Sequence, residues 1–291
     1  MMDLTSLPQY VEENRLPLIS KAVLGSKTLD YINIQTDIKG AAAINLVDVN
    51  PTLQEGGCGW NDAGSAKFSQ RTINTKILKV NQSFCDKDFL SYWQNYTVKV
   101  AAGKETLGFE ETFTNGVIAK INEAVERMIW QGTDAANSFK GLLPILEGED
   151  EVVTVGAAGT TYDSVKAVYK AIPEAVLADA KIFVGAETFR DLMLEMVEKN
   201  YFHYPADGMP EQKIILAGTN TEVVAVNGLN GSKKIVAANP KNLYFGCDML
   251  NDKEEFDFFY SKDNREWRLV VSFNGGTEVA YPSEVVVGSV A

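Results

Sequence analysis

Residues 67–80 are dense in strand-forming residues but have no apolar face. One side carries Phe68, Gln70, Thr72, Asn74, Lys76, Leu78 and Val80, and the other carries Lys67, Ser69, Arg71, Ile73, Thr75, Ile77 and Lys79. Thr, Ile, Val and Phe favour the pleated backbone, yet a strand polar on both sides gains little by packing on its own domain. Upstream, Ala41 to Val49 has the same strand-like company (Ile44, Leu46, Val47, Val49), and Asn50-Pro51 interrupts it. A glycine-rich tip, Gly56 to Ser65, joins the two runs. Strand, loop, strand reads as a long hairpin. An isolated two-stranded hairpin is marginal in water. This one therefore either edges a larger sheet or reaches out to a neighbouring subunit.

The remainder is an ordinary globular composition, with 45% hydrophobic and 23% charged residues among 291. No run of about 18 apolar residues is present, so no membrane-spanning helix is expected. Met1 to Tyr10 lacks both a basic start and an apolar core, unlike a secretory signal. Residues 1–35 read as an irregular arm, punctuated by Pro8 and Pro17. From Asp86 the pattern turns helical, and a long helix is expected over about Thr106 to Gln131. Its apolar stripe is Phe109, Phe113, Val117, Ile121, Ala124 or Val125, and Met128. Residues 133–239 alternate helices and strands. Thr160 to Asp163 has the shape of a helix cap, Ala180 to Gly185 that of a buried strand, and a helix carrying Phe189 and Leu192 follows. The last 50 residues read as separate strands, Asn242–Gly246, Phe256–Tyr260, Trp267–Phe273 and Glu278–Ala280.

Charge is unevenly distributed. The chain has 39 acids and 27 bases, net −12, but residues 1–80 hold 8 of each, leaving 31 acids against 19 bases beyond. An acidic body opposes tight nucleic-acid binding, which needs a basic footprint.

No constellation for catalysis emerges. The single histidine, His203, has no nucleophile elbow near it. Cys58, Cys85 and Cys247 are odd in number and show no metal-ligand spacing, which suits a reducing cytoplasm and inert thiols. Gly156–Gly159 and Gly228–Gly231 fit neither a phosphate loop nor a dinucleotide fingerprint and read as turns. The acid run Glu147, Glu149, Asp150, Glu151 lacks calcium-loop spacing and reads as a solvated loop, and Lys233-Lys234 is too small a basic patch for nucleic acid. No catalytic, cofactor-binding or metal residue is assigned, no cofactor is expected, and the chain reads as no enzyme.

In order of parts, and over nearly its whole length, the chain resembles the major capsid proteins of tailed bacteriophages, of the Hong Kong 97 type or Johnson fold. The stretches that carry the likeness are Ser69–Phe84 running into Cys85-Asp86-Lys87-Asp88-Phe89-Leu90, Met128–Gly132 followed by Lys140–Leu143, and Ala171–Pro173 through Lys181–Val184 to Phe189 and Leu192. The resemblance implies an α+β fold with an N-terminal arm (1–40), an extended hairpin loop (41–85), a peripheral domain with a spine helix (86–135 and 240–291) and an axial α/β domain (136–239). It implies self-assembly into hexamers and pentamers of an icosahedral head around double-stranded DNA, without sequence-specific binding. The partners it implies are portal, scaffolding and head-maturation proteins and no membrane, with assembly in the bacterial host cytoplasm and residence in the virion capsid. With about 40 residues before the hairpin, scaffolding is expected to be a separate protein or to be cleaved away. The family's best-known member links a lysine to an asparagine between subunits; Lys67 and Lys76 are the hairpin lysines to consider, and noncovalent assembly is the expectation here. The rival readings are an encapsulin-type nanocompartment shell, and a cytoplasmic α+β enzyme or ligand-binding protein with an unrecognised site.

Overall fold

The chain opens with two helices, α1 (Ser6–Glu13) and α2 (Arg15–Leu24), where an irregular arm was expected. Pro8 and Pro17 each occupy the third position of their helix. Backbone N–H groups of a first turn have no intrahelical partner, so proline costs little there. Leu7, Val11, Leu18, Ile19, Ala22 and Val23 form one buried stripe. The helices pack against later elements that complete the core, and local pattern alone does not reveal that burial. A computed structural model supplies this architecture and describes residues 6–58, 60, 63–101, 109–200, 213–248 and 255–290.

After β1 (Asn33–Gln35), β2 (Ala41–Pro51) pairs antiparallel with β3 (Gly64–Asn74) from Ala41↔Asn74 to Pro51↔Gly64. The chain turns at Thr75, whose N–H donates to the Gly40 carbonyl at 2.8 Å, and continues as β4 (Lys76–Cys85). The expected single strand over 68–80 is thus two strands with different partners. Next come α3 (Asp86–Ala101), α4 (Phe109–Gln131), α5 (Leu142–Glu147), β5 (Val153–Val155), α6 (Thr161–Ala171), β6 (Lys181–Val184) and α7 (Ala186–Glu198). The chain then adds β7 (Lys213–Ile215), β8 (Glu222–Ala225), β9 (Lys234–Ala238), β10 (Leu243–Cys247), β11 (Glu255–Ser261), β12 (Glu266–Val279) and β13 (Val286–Ser289).

Two sheets organise the body. In the first, β12 is the central strand, and the two short strands expected over 267–280 are this one. Gly275 pairs with both Lys76 of β4 and Cys247 of β10, so those two strands lie on opposite edges of β12. β11 takes the remainder of the β10 edge, and β1 lies parallel to β10. The second sheet has the order β5-β13-β9-β6-β8-β7. Its strands are apolar on both faces. Ile182, Val184, Val223, Ile235, Ala237 and Val286 face the core shared with α6 and α7. The intervening Phe183, Val224, Val236, Ala238 and Val287 face the larger core around α4. Alternation of side chains across a strand produces this division. It also explains the unbroken apolar run Ile-Phe-Val in β6.

Helix α4 joins the parts. Its fully buried stripe is Ile118, Ile121, Val125, Ile129 and Trp130, while Phe113, Val117 and Met128 of the expected stripe are half-buried. The stripe is rotated because α2 and the turn at 227–229 cover its other side. The expected start at Thr106 lies outside the described residues. Buried Glu126 accepts hydrogen bonds from the Thr28 N–H at 3.1 Å and the Thr28 hydroxyl, and the Trp130 indole N–H donates to that hydroxyl oxygen at 2.7 Å. Gly228 sits so close to Glu126 and Trp130 that a Cβ there would collide with both.

Within the second unit, Thr160 caps α6 by accepting from the Asp163 N–H. Glu195 of α7 reaches across to accept from the N–H groups of Thr161 (3.0 Å) and Tyr162 (2.8 Å). Burial raises the Glu195 pKa, but those backbone donors outweigh it, and the carboxyl lies below its ordinary value of 4.5.

Two predictions follow from these contacts. Thr28→Val removes one donor from a buried carboxylate and the acceptor of Trp130, and should cost about 2–3 kcal/mol, read as a lower denaturant midpoint with unchanged slope. A depressed carboxylate stabilises the fold above its unfolded pKa and loses that contribution as pH falls through the folded one. Glu195→Gln should therefore lower the melting temperature at pH 7, and the gap from the parent should narrow below about pH 4. A gap unchanged at acid pH would assign the loss to packing.

Candidate assembly interface

The β2–β3 ribbon forms a two-stranded sheet with two different halves. At its root, Ile44, Leu46 and Ile73 are buried with Ile38 and Ala280 in a small core of their own. Gly276 of β12 lies against Asn74 and Thr75 so closely that no side chain would fit. The outer half is exposed along its described residues. In register, Val47 faces Phe68 and Val49 faces Ala66, which puts these side chains on one surface of the ribbon. Phe68 is 77% exposed, and Val47 and Val49 are at least half exposed. Beyond them Leu53 is 100% and Trp60 93% exposed. Two strands of 11 residues rise about 36 Å. An exposed apolar stripe of this kind is a candidate interaction surface.

This stripe is not visible when β3 is considered alone, because its apolar members come from both strands. Pairing the runs outward from the tip would have revealed it.

A guanidinium adds an ionic tie between the ribbon and the body. Arg71 Nη2 donates to Glu149 at 2.6 Å and to Glu278 at 2.9 Å, and its Nε donates to Glu278 at 3.1 Å. The three residues belong to β3, to the loop after α5 and to β12, so the ribbon, the second unit's entrance and the first sheet meet at Arg71. Glu149 lies in the acid run expected to be merely solvated. Glu147 of the same run pairs with Lys234 at 3.1 Å.

Of the two hairpin lysines, Lys76 is occupied within its own subunit. Its Nζ donates to the carbonyls of Ala135 (2.6 Å) and Ser138 (3.2 Å) and lies 3.4 Å from Asp134 Oδ1. Lys67 is exposed on the outer ribbon opposite Asp48. Cys58 and Cys85 are exposed and Cys247 is buried. His203 lies outside the described residues. The Gly228 segment is the turn against α4, and Gly156 and Gly159 flank the loop before α6. Among the described residues no cluster of His, Cys, Asp and Glu could hold a metal ion, and no helix is long and apolar enough to cross a membrane.

No family profile matches the sequence, and no curated protein does. Solved structures do match along nearly the full length. The structure titled as the satellite phage P4 procapsid with its size determination (Sid) protein aligns over 99% of this chain and 98% of its own, with a TM-score of 0.64 at 12% identity. The capsid of an empty GTA particle aligns over 94% and 90%, with a TM-score of 0.62 at 12% identity. A virus-like particle from Pyrococcus furiosus aligns over 96% and 99%, with a TM-score of 0.57 at 9% identity. The chain has the α+β fold of phage capsid proteins, the Hong Kong 97 type.

Arg71→Ala leaves two carboxylates facing each other without their cation, and the ribbon root should loosen. A swing of about 10° at Arg71 moves the outer end of the strands, about 23 Å away, by about 4 Å. Spin labels on the native exposed thiols Cys58 and Cys85 should report a broadened distance distribution, and adding Glu149→Gln with Glu278→Gln should narrow it again. An unchanged distribution in Arg71→Ala would show that the small apolar core alone sets the ribbon's direction.

Proposed function

We propose that this chain is the major structural subunit of a phage head, assembling with copies of itself into the hexamers and pentamers of an icosahedral shell, and that it has no catalytic role. The observation that carries the reading is the outer half of the ribbon. It is an apolar stripe of Val47, Val49 and Phe68 that stays exposed among the described residues, on a fold that solved capsid and procapsid structures share. Shell contacts are symmetric and repeated, and extended segments bury area only on assembly.

On this reading the second sheet with α6 and α7 forms the axial unit around 136–239, with β13 threaded into it. The first sheet with α3 and α4 forms the peripheral unit, and residues 41–85 are the extended loop. The arm would be a helical pair seated on the spine helix. An acidic wall, net −12, suits a container whose contents must slide past it during packaging. Double-stranded DNA, portal and scaffolding proteins are the partners proposed, with residence in the virion and assembly in the host cytoplasm. Assembly is noncovalent on this reading, consistent with Lys76 being engaged at home. The nanocompartment alternative has the same fold and would differ in cargo. The neighbours titled as phage particles favour the phage head.

Deleting Thr52–Lys67 tests the role of the ribbon. The segment is exposed throughout its described residues, so the subunit should keep a near-normal melting transition while sedimentation shows no particles. Particles forming normally without it would remove the ribbon from assembly, and a collapsed melting transition would make it part of the subunit's own core.

A further inference from the structure

The sequence contains four Asn-Gly pairs, at 115–116, 227–228, 230–231 and 274–275. Glycine has no side chain to shield its nitrogen, so in such a pair that nitrogen can attack the preceding asparagine amide. The fold holds three of the pairs still. Asn115-Gly116 lies inside α4, where helical hydrogen bonding fixes the backbone. Gly228 is buried tightly against Glu126 and Trp130, and its carbonyl accepts from Gln131. Asn274 lies in β12, with Nδ2 donating to the Ile38 carbonyl at 3.3 Å and to the Thr75 hydroxyl oxygen at 3.1 Å. Its neighbour Gly275 pairs with both β4 and β10.

Asn230-Gly231 is placed differently. Asn230 has φ −59° and ψ 135°, Gly231 has φ +75°, and the Ser232 N–H donates to the Leu229 carbonyl at 3.2 Å. These are the angles and the closing bond of a type II turn, whose third residue favours glycine. The closing bond uses the Ser232 N–H and leaves that of Gly231 outside the turn. Asn230 is exposed, and the space beside Gly231 is open.

The Asn230 amide is also polarised. Its Oδ1 accepts from the N–H of Ala186, the first residue of α7, at 2.7 Å. Gly185, at the ordinary capping position, lies so close to the Leu229 carbonyl that a Cβ would press on it. The cap therefore comes from the facing turn. A backbone N–H at the positive end of a 13-residue helix stabilises the negative oxygen that forms when Cγ is attacked.

We infer that Asn230 is a self-modifying residue, its side-chain amide displaced by the Gly231 nitrogen while the start of α7 stabilises the oxyanion. The bond from the Gly231 nitrogen to Cγ forms and the Cγ–Nδ2 bond breaks. The Gly231 nitrogen gives its proton to solvent, and Nδ2 takes one and leaves as ammonia. Water then opens the cyclic imide. Opening at Cγ gives aspartate, which keeps an acceptor for Ala186 and adds a charge favoured at a helix start. Opening at the main-chain carbonyl carbon gives isoaspartate, with an extra methylene in the backbone. That product displaces the groups that receive Ala186 and, at 3.0 Å, Gln131 Nε2, so the joint between α4 and α7 loosens. The chemistry is independent of how the chain assembles.

Ageing the intact protein at mildly alkaline pH tests it. Peptide mass spectrometry, with enzymatic methylation to detect isoaspartate, should show Asn230 reacting roughly tenfold faster than Asn115, Asn227 or Asn274. In denaturant the four rates should converge. Ala186→Pro removes the donor at a helix position that suits proline, after a Gly185 that is already extended (φ −68°, ψ 155°). Its melting should stay near the parent's, while reaction at Asn230 slows roughly tenfold. Asn230→Ser keeps an acceptor for the cap and should abolish most of the ammonia released. Native reaction at Asn230 no faster than at the other three pairs would overturn the assignment. A rate unchanged or raised in Ala186→Pro would overturn activation by α7, since the cap would then be neutral or a restraint.

Discussion

A buried carboxyl group is costly without its donors, and Glu126 keeps them where several parts of the body meet. Thr28 supplies both an N–H and a hydroxyl, and the hydroxyl oxygen in turn receives the Trp130 indole. The indole ring packs on Phe183 of β6, with centroids 5.4 Å apart. The N-terminal segment, α4 and the second sheet therefore converge on one hydrogen-bonded node. Gln131 extends it by donating to the carbonyls of Gly228 (2.6 Å) and Asn230 (3.0 Å). The directional contacts fix how α4 sits, and the non-directional burial of Ile121, Val125 and Ile129 supplies most of the stability.

A body fixed in this way can carry a projection that contributes almost nothing to its own stability. The ribbon is rooted by a small apolar core and by the Arg71 ion pairs, then leaves the body with its apolar stripe exposed. In a monomeric protein such a ribbon is an aggregation hazard. In the shell proposed above, the same exposure would favour association by removing the stripe from water. Asn45 and Gln70 are hydrogen-bonded across the ribbon at 2.7 Å, and Asp48 and Lys67 lie opposite each other.

The division of charge follows the same logic. The front of the chain is neutral over 80 residues, while the excess of acids lies beyond it. Yet a groove between α4 and β4 is cationic, because Lys120 and Arg127 fall on one side of that helix and Lys79 on the facing strand. A sum over a segment conceals such a surface, since the helix distributes its charges around its circumference.

Local residue patterns determined much of this architecture. Strand-forming runs and a glycine-rich tip marked the hairpin, capping chemistry placed the start of α6 at Thr160, and an apolar run marked β6, because each depends on residues within a few positions of one another. Three features depended on contacts between distant residues. The prolines at 8 and 17 read as breaks until burial against α4 and β11 made helices of their surroundings. The apolar stripe of the ribbon belongs to neither strand alone, and the Arg71 junction joins residues 78 and 207 positions apart. His203 lies in residues not described. Local pattern sets what each segment prefers to be, whereas which face meets water is settled only when segments far apart in sequence compete for the same buried surface.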